Sequence, residues 1–148
     1  VHLSSAAFCG SAALESWGCG PACDRVRGVR DVRRIDEDRL DAHAYVGRWR
    51  DQCILAFRGT DSFDGWVQDL KSAELVDLPG SAACRVGSGF LESYQALSEG
   101  IKKSLLEIGC DEAPLSVTGH SMGAALATLA AYDLRSSFNL TTSYTFGQ

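Results

Sequence analysis

No run of apolar residues in this 148-residue chain approaches the roughly 20 residues that a helix needs to cross a bilayer, so the pattern carries no transmembrane segment. Nor is there a surplus of basic charge. The formal net charge is −5, which leaves no general attraction for a phosphate backbone. The one basic stretch, around Arg25 to Arg34, is interleaved with Val26, Val29 and Val32. That alternation reads as the solvated face of a strand in preference to a nucleic-acid site. No internal repeat, low-complexity tract or linker divides the chain, and its length suits one modest core, so residues 1–148 are read as a single domain.

Metal-ligand spacing is missing as well. The six cysteines, Cys9, Cys19, Cys23, Cys53, Cys84 and Cys110, form no C-x-x-C pair with accompanying histidines, so no zinc site is expected. Nothing in the pattern indicates an organic cofactor either. Cys19 and Cys23 flank Gly20-Pro21-Ala22, a turn-forming insert able to bring two thiols within bridging distance. A small disulfide loop and an oxidising compartment follow from that reading; reduced, buried thiols are the alternative. The first residue is Val1, not methionine, so the chain starts after a cleavage or at an arbitrary boundary. A removed signal peptide, and hence secretion, agrees with the cysteines.

What is present alternates between extended and helical patterns. Ser5 to Leu14 is small and apolar enough for a first helix, ended by the Cys19–Cys23 loop. Short strand-like runs follow at Arg30–Ile35, Ala42–Gly47 and Gln52–Phe57. The last is continuously apolar after its first residue, as expected of a strand covered on both faces. Phe90, Tyr94, Leu97, Ile101, Leu105 and Ile108 recur at steps of three and four, with Lys102 and Lys103 on the other side; this predicts an amphipathic helix. Leu115–Thr118 reads as a strand, Met122–Arg135 as an alanine-rich helix, and Ser143–Phe146 as a further strand. Strands and helices in that order imply right-handed crossovers and a largely parallel sheet, an α/β class.

One pentapeptide carries chemistry. Gly119-His120-Ser121-Met122-Gly123 fits G-x-S-x-G, with a predicted strand before it and a predicted helix after it. A sharp strand-to-helix turn lifts a serine clear of its own backbone, and glycines two residues either side leave no Cβ where strand and helix come closest. The N-terminus of the helix would favour negative charge developing nearby. In a chain with fifteen glycines a chance match is the competing reading, with Ser121 merely capping a helix. A tetrahedral intermediate needs two donors. The Met122 N–H is one; Thr60, following Phe57-Arg58-Gly59, is a candidate for the other, its alternative being an ordinary turn residue.

These residues, together with Trp66, Asp69-Leu70, Gly89-Phe90, Val117-Thr118, Ala124-Ala125-Leu126 and Tyr144-Thr145-Phe146-Gly147-Gln148, resemble the fungal-type (class three) lipase family. Phe8-Cys9 followed by Trp17-Gly18-Cys19 and Cys23 is similar to its secreted members. The resemblance implies an α/β-hydrolase-type fold and carboxylic ester hydrolysis through a serine nucleophile and an acyl-enzyme. It makes Ser121 the nucleophile and puts Thr60 and Met122 in the oxyanion hole. It also implies a lid over residues 62–68 that opens at a lipid–water interface and exposes Phe63 and Trp66; core packing is the equal alternative for these two aromatics.

The pattern departs from the family after Ser121. The triad there runs Ser, then Asp or Glu, then His, yet no histidine follows Ser121 and the one later acid is Asp133. Twelve helical residues would put Asp133 roughly 18 Å away. His120 adjoins the nucleophile but leaves the turn in another direction, and the family implies that it packs inward. The resemblance therefore reads as the N-terminal portion of such a domain, C-terminally incomplete, since about 200–250 residues are usual. A catalytically incomplete fragment, or a remnant that binds lipid surfaces, is the alternative to an ester hydrolase. Cys84 and Cys110 form a second candidate pair beside Cys19 and Cys23, Cys53 reads as a buried thiol, and Cys9 is expected to lack its partner.

Overall fold

The computed structural model describes residues 1–60, 74–81 and 83–147. The expected lid, with Phe63 and Trp66, lies outside the described residues. Seven strands and five α-helices are described: α1 (His2–Ala6), α2 (Ser11–Glu15), α3 (Pro21–Asp24), β1 (Val29–Glu37), β2 (Ala42–Trp49), β3 (Gln52–Phe57), β4 (Leu75–Asp77), β5 (Arg85–Gly87), α4 (Ser88–Glu107), β6 (Leu115–His120), α5 (Met122–Leu134) and β7 (Leu140–Phe146). A 3-10 turn, Asp38–Leu40, joins β1 to β2.

The central sheet has the order β1-β2-β3-β6-β7, and β4 and β5 form a separate two-stranded ribbon. The β1/β2 and β2/β3 pairings are antiparallel, whereas β3/β6 and β6/β7 are parallel. Four of the five central strands therefore point the same way, and β2 alone runs against them. The α/β reading stands. The short β2–β3 connection across Arg50 and Asp51 accounts for the reversed strand, because two residues suffice for a hairpin but not for a crossover.

The alternation along β3 shows how the layers form. Cys53, Leu55 and Phe57 join Leu97, Ile101 and Leu105 of α4 and Leu126 and Ala130 of α5 in one core. Ile54 and Ala56 join Ala6, Leu14 and Cys23 of the three N-terminal helices in a second core. With a side-chain period of two, one strand thus seals both faces. This is the reason its sequence is continuously apolar. On α4 the side chains of Leu97, Ile101 and Leu105 are fully buried, each contributing about 1.5–3 kcal/mol.

Two expectations are corrected. The helix anticipated over Ser5–Leu14 is broken into α1 and α2 by extended backbone at Gly10, which lets Ala6 and Leu14 reach the same core. The disulfide expectation holds for Cys19–Cys23 but not for Cys84–Cys110: Cys110 is bonded to Cys53, with Cα atoms 6.0 Å apart. Left-handed Gly109 ends the turn after α4 and drops Cys110 beside the start of β3, where Cys53 N–H donates to the Pro114 carbonyl at 2.7 Å. Cys84 is an exposed free thiol and Cys9 a half-buried one.

Candidate active site

Ser121 sits between β6 and α5 at φ 56°, ψ −123°, a conformation that an L-residue adopts only at a cost of about 1–3 kcal/mol. The surroundings enforce it. A Cβ at Gly119 would lie 1.9 Å from the Gly123 carbonyl oxygen, and one at Gly123 would lie 2.6 Å from the Phe57 oxygen and 2.7 Å from the Arg58 oxygen. Strand β6, helix α5 and the end of β3 therefore touch backbone to backbone. The Ser121 N–H donates to the Phe146 carbonyl at 2.9 Å, which ties the turn to β7. The Ser121 side chain makes no capping hydrogen bond to α5, so helix capping does not account for a serine here.

The loop leaving β3 lies against this turn. A Cβ at Gly59 would come within 2.7 Å of the His120 carbonyl oxygen and 3.5 Å of the Ser121 Cβ. The next residue, Thr60, keeps its Oγ1 buried with no hydrogen-bond partner among the described residues. An unsatisfied buried hydroxyl costs on the order of 1–3 kcal/mol and is a donor free for a ligand. Met122 is buried and occupies the first position of α5, where a backbone N–H has no intrahelical acceptor. The structure thus brings Thr60, Ser121 and Met122 to one end of the sheet.

The other titratable groups go elsewhere. His120 is exposed, not packed inward as the resemblance implied. Its ring lies beside left-handed Gly147, where a Cβ would be 3.0 Å from Nε2. Asp133 accepts from the Tyr94 hydroxyl at 2.7 Å and from Lys102 Nζ at 2.7 Å. Burial alone would raise its carboxyl, but hydrogen bonds from Lys102 and Tyr94 and the charges of Lys102 and Arg135 outweigh this and hold it below the ordinary value. The same burial, and then Asp133, push the Tyr94 phenol up. Asp133 is thereby a bridge between α4 and α5.

His43 is the histidine whose surroundings sequence reasoning missed. It is buried in β2, with Nδ1 2.5 Å from Asp36 Oδ1 and Nε2 3.2 Å from Asp41 Oδ1. The spacing of these residues carries no signal. They meet because the antiparallel register sets Asp36 opposite His43. Among the described residues no cluster of histidine, cysteine and carboxylate side chains is arranged to hold a metal ion, and no helix is long and apolar enough to cross a membrane.

The family model described as Lipase (class 3) matches residues 54–148. A phospholipase A(1), DAD1, chloroplastic, from Arabidopsis thaliana is 34% identical over 107 residues, covering 60% of this chain and 24% of that protein. A secreted mono- and diacylglycerol lipase A from Penicillium camembertii is 41% identical over 85 residues, covering 55% and 27%. The crystal structure of a lipase from Rhizopus microsporus var. chinensis aligns at a TM-score of 0.81 with 25% identity, covering 97% of this chain and 53% of that one. The chain spans about a quarter to a third of the length of the curated relatives it matches. With the matched segment running from β3 to the end of the sheet and the fold being that of the α/β-hydrolase lipases, the chain belongs to the class 3 lipase family.

Proposed function

We propose that Ser121 is the nucleophile of a carboxylic ester hydrolase acting on glycerolipid acyl esters, with neutral glycerides as the preferred class. The carrying observation is the left-handed Ser121 in a turn whose flanking glycines leave no room for a Cβ. In the reaction the Ser121 hydroxyl attacks the ester carbonyl, and its proton passes to a base. The tetrahedral oxyanion is held by the Met122 N–H and by Thr60 through its N–H and hydroxyl. Collapse expels the alcohol, which takes the proton back from the base, and leaves an acyl-enzyme; water, deprotonated by the same base, then cleaves it to release the carboxylic acid and the free Ser121 hydroxyl. The positive end of α5 supports the same oxyanion. Residues 62–68, with Phe63 and Trp66, are proposed as the lid that meets the lipid–water interface. Secretion is supported by the two disulfides and by the printed name of the Penicillium relative.

The base is the specific reason for a second reading. No histidine follows Ser121, His120 is exposed with its ring beside Gly147, His43 is held between two carboxylates, and Asp133 is engaged by Lys102 and Tyr94. These 148 residues alone are accordingly proposed to be inactive, with the triad acid and histidine supplied by residues outside them.

The test is turnover of p-nitrophenyl esters of graded chain length and of emulsified triglyceride, measured on this chain and on the longest protein its gene encodes. Expected are no burst from the chain alone, turnover by the longer form, and a loss of at least about 10⁴-fold on Ser121→Ala. Turnover that survives Ser121→Ala, or no ester hydrolysed by any form, overturns the proposal.

A further inference from the structure

A line of polar side chains runs from the N-terminal helices to the loop that carries Thr60. Arg34 Nη1 donates to the Cys9 carbonyl at 2.9 Å, and Arg34 Nε to Asp36 Oδ1 at 2.6 Å. The same carboxylate oxygen faces His43 Nδ1 at 2.5 Å, and His43 Nε2 faces Asp41 Oδ1 at 3.2 Å. Arg34 Nη2 also approaches His43 Nδ1 at 3.4 Å. The line reaches Arg58, whose Nη2 donates to the Asp41 carboxylate and, at 3.4 Å, to the Asp41 carbonyl.

Three features make this more than a surface ion-pair ladder. Asp41 is in the left-handed region, at φ 49°, a conformation that aspartate tolerates better than most residues, and it turns one carboxylate oxygen and its main-chain carbonyl toward the same guanidinium nitrogen. His43 holds Arg58 in two ways, through Asp41 and through its own carbonyl, which accepts the Arg58 N–H at 2.9 Å. The Arg58 side chain is only 11% exposed although that of Asp41 is 57% exposed. The guanidinium is thus largely removed from water even where its carboxylate partner is not.

Arg58 precedes Gly59 and Thr60, and Gly59 lies so close to the nucleophile turn that a Cβ there would be 2.7 Å from the His120 carbonyl oxygen. Displacing Arg58 therefore displaces Thr60. We propose that Asp41 and His43 are positioning residues for the oxyanion loop. They hold Arg58 so that Thr60 keeps its aim, and the segment is thereby tied to the β1–β2 hairpin and not only to β6. The proposal rests on the reading of Thr60 as an oxyanion donor.

The experiment has two arms, on Asp41→Asn and His43→Gln, with Arg33→Gln, an exposed cation on the same hairpin, as control. In the first, amide hydrogen exchange of this 148-residue chain is followed by mass spectrometry. Both variants are expected to speed exchange at Arg58–Thr60 about tenfold while β6 and α5 stay unchanged. In the second, on the ester-hydrolysing form, kcat is expected to fall about tenfold with KM within about twofold, as for a contact made to the transition state. Unchanged exchange at Arg58–Thr60 overturns the positioning role. Faster exchange with unaltered kcat overturns its link to catalysis. Asp41 is exposed and asparagine has its shape, so that variant carries the test even if His43→Gln unfolds. Should no form hydrolyse esters, the ester-hydrolase reading fails on its own and the exchange arm still decides the positioning.

Discussion

Replacing Gly123 by alanine sets helix propensity against backbone packing, and the structure says which wins. Alanine is favoured over glycine in a helix by about 1 kcal/mol, and by less near an end; Gly123 is the second residue of α5. Against this, the new methyl carbon would sit 2.6 Å from the Phe57 oxygen, 2.7 Å from the Arg58 oxygen and 2.9 Å from the Arg58 carbonyl carbon. These are main-chain atoms at the end of a strand bonded on both sides by β2 and β6, so no side chain can swing away. Relief needs a shift of about half an ångström in the helix or the sheet, at a typical overpacking cost of about 1–3 kcal/mol. The net expectation is a loss of about 1–2 kcal/mol, or about 0.5–1 M in the urea midpoint of a small domain. Gly89→Ala in α4 is the matched control, because nothing lies within 4 Å of its Cβ position; it is expected to be neutral or to stabilise by up to about 1 kcal/mol. Urea unfolding under non-reducing conditions, followed by tryptophan fluorescence, measures both. A midpoint for Gly123→Ala equal to or above that of the parent chain would refute the backbone-to-backbone account of the turn.

The Cys53–Cys110 bond closes a loop with a sequence separation of 57, so Cys53→Ala is expected to lower stability by about 4 kcal/mol on loop entropy. Thiol titration of the unfolded, unreduced parent chain should find two free thiols, Cys9 and Cys84, and in the native chain the exposed Cys84 should react first. Asp133 and Asp36 both have folded-state carboxyls below the ordinary 3.8. Their stabilisation is complete above that value and is lost as pH falls through the lower folded values. Asp133→Asn should therefore flatten part of the fall in melting temperature below about pH 4, and an unaltered acid limb would contradict the Lys102–Asp133–Tyr94 bridge.

Legibility in the sequence followed physical locality. The 3.6-residue period of α4 and the unbroken apolar run of β3 were readable because each records directly how many faces are buried. The Ser121 turn was readable because its steric demand is met by glycines at fixed offsets. The break between α1 and α2 was not, since the small residues around Ala6 and Ala7 have no strong period. The partner of Cys110 was hidden because it depends on the parallel alignment of β3 with β6, a non-local fact. The Arg34–Asp36–His43–Asp41–Arg58 line was hidden for the same reason: its members are ordinary surface-type residues until the β1–β2 register assembles them.

A nucleophilic Ser121 can be captured covalently. The longest encoded protein would be treated with a fluorophosphonate, digested and mapped by mass spectrometry. One adduct is expected, on the peptide containing Ser121, with ester hydrolysis lost in proportion to labelling. An adduct on a different residue, or hydrolysis that persists with Ser121 fully labelled, would contradict a nucleophilic Ser121.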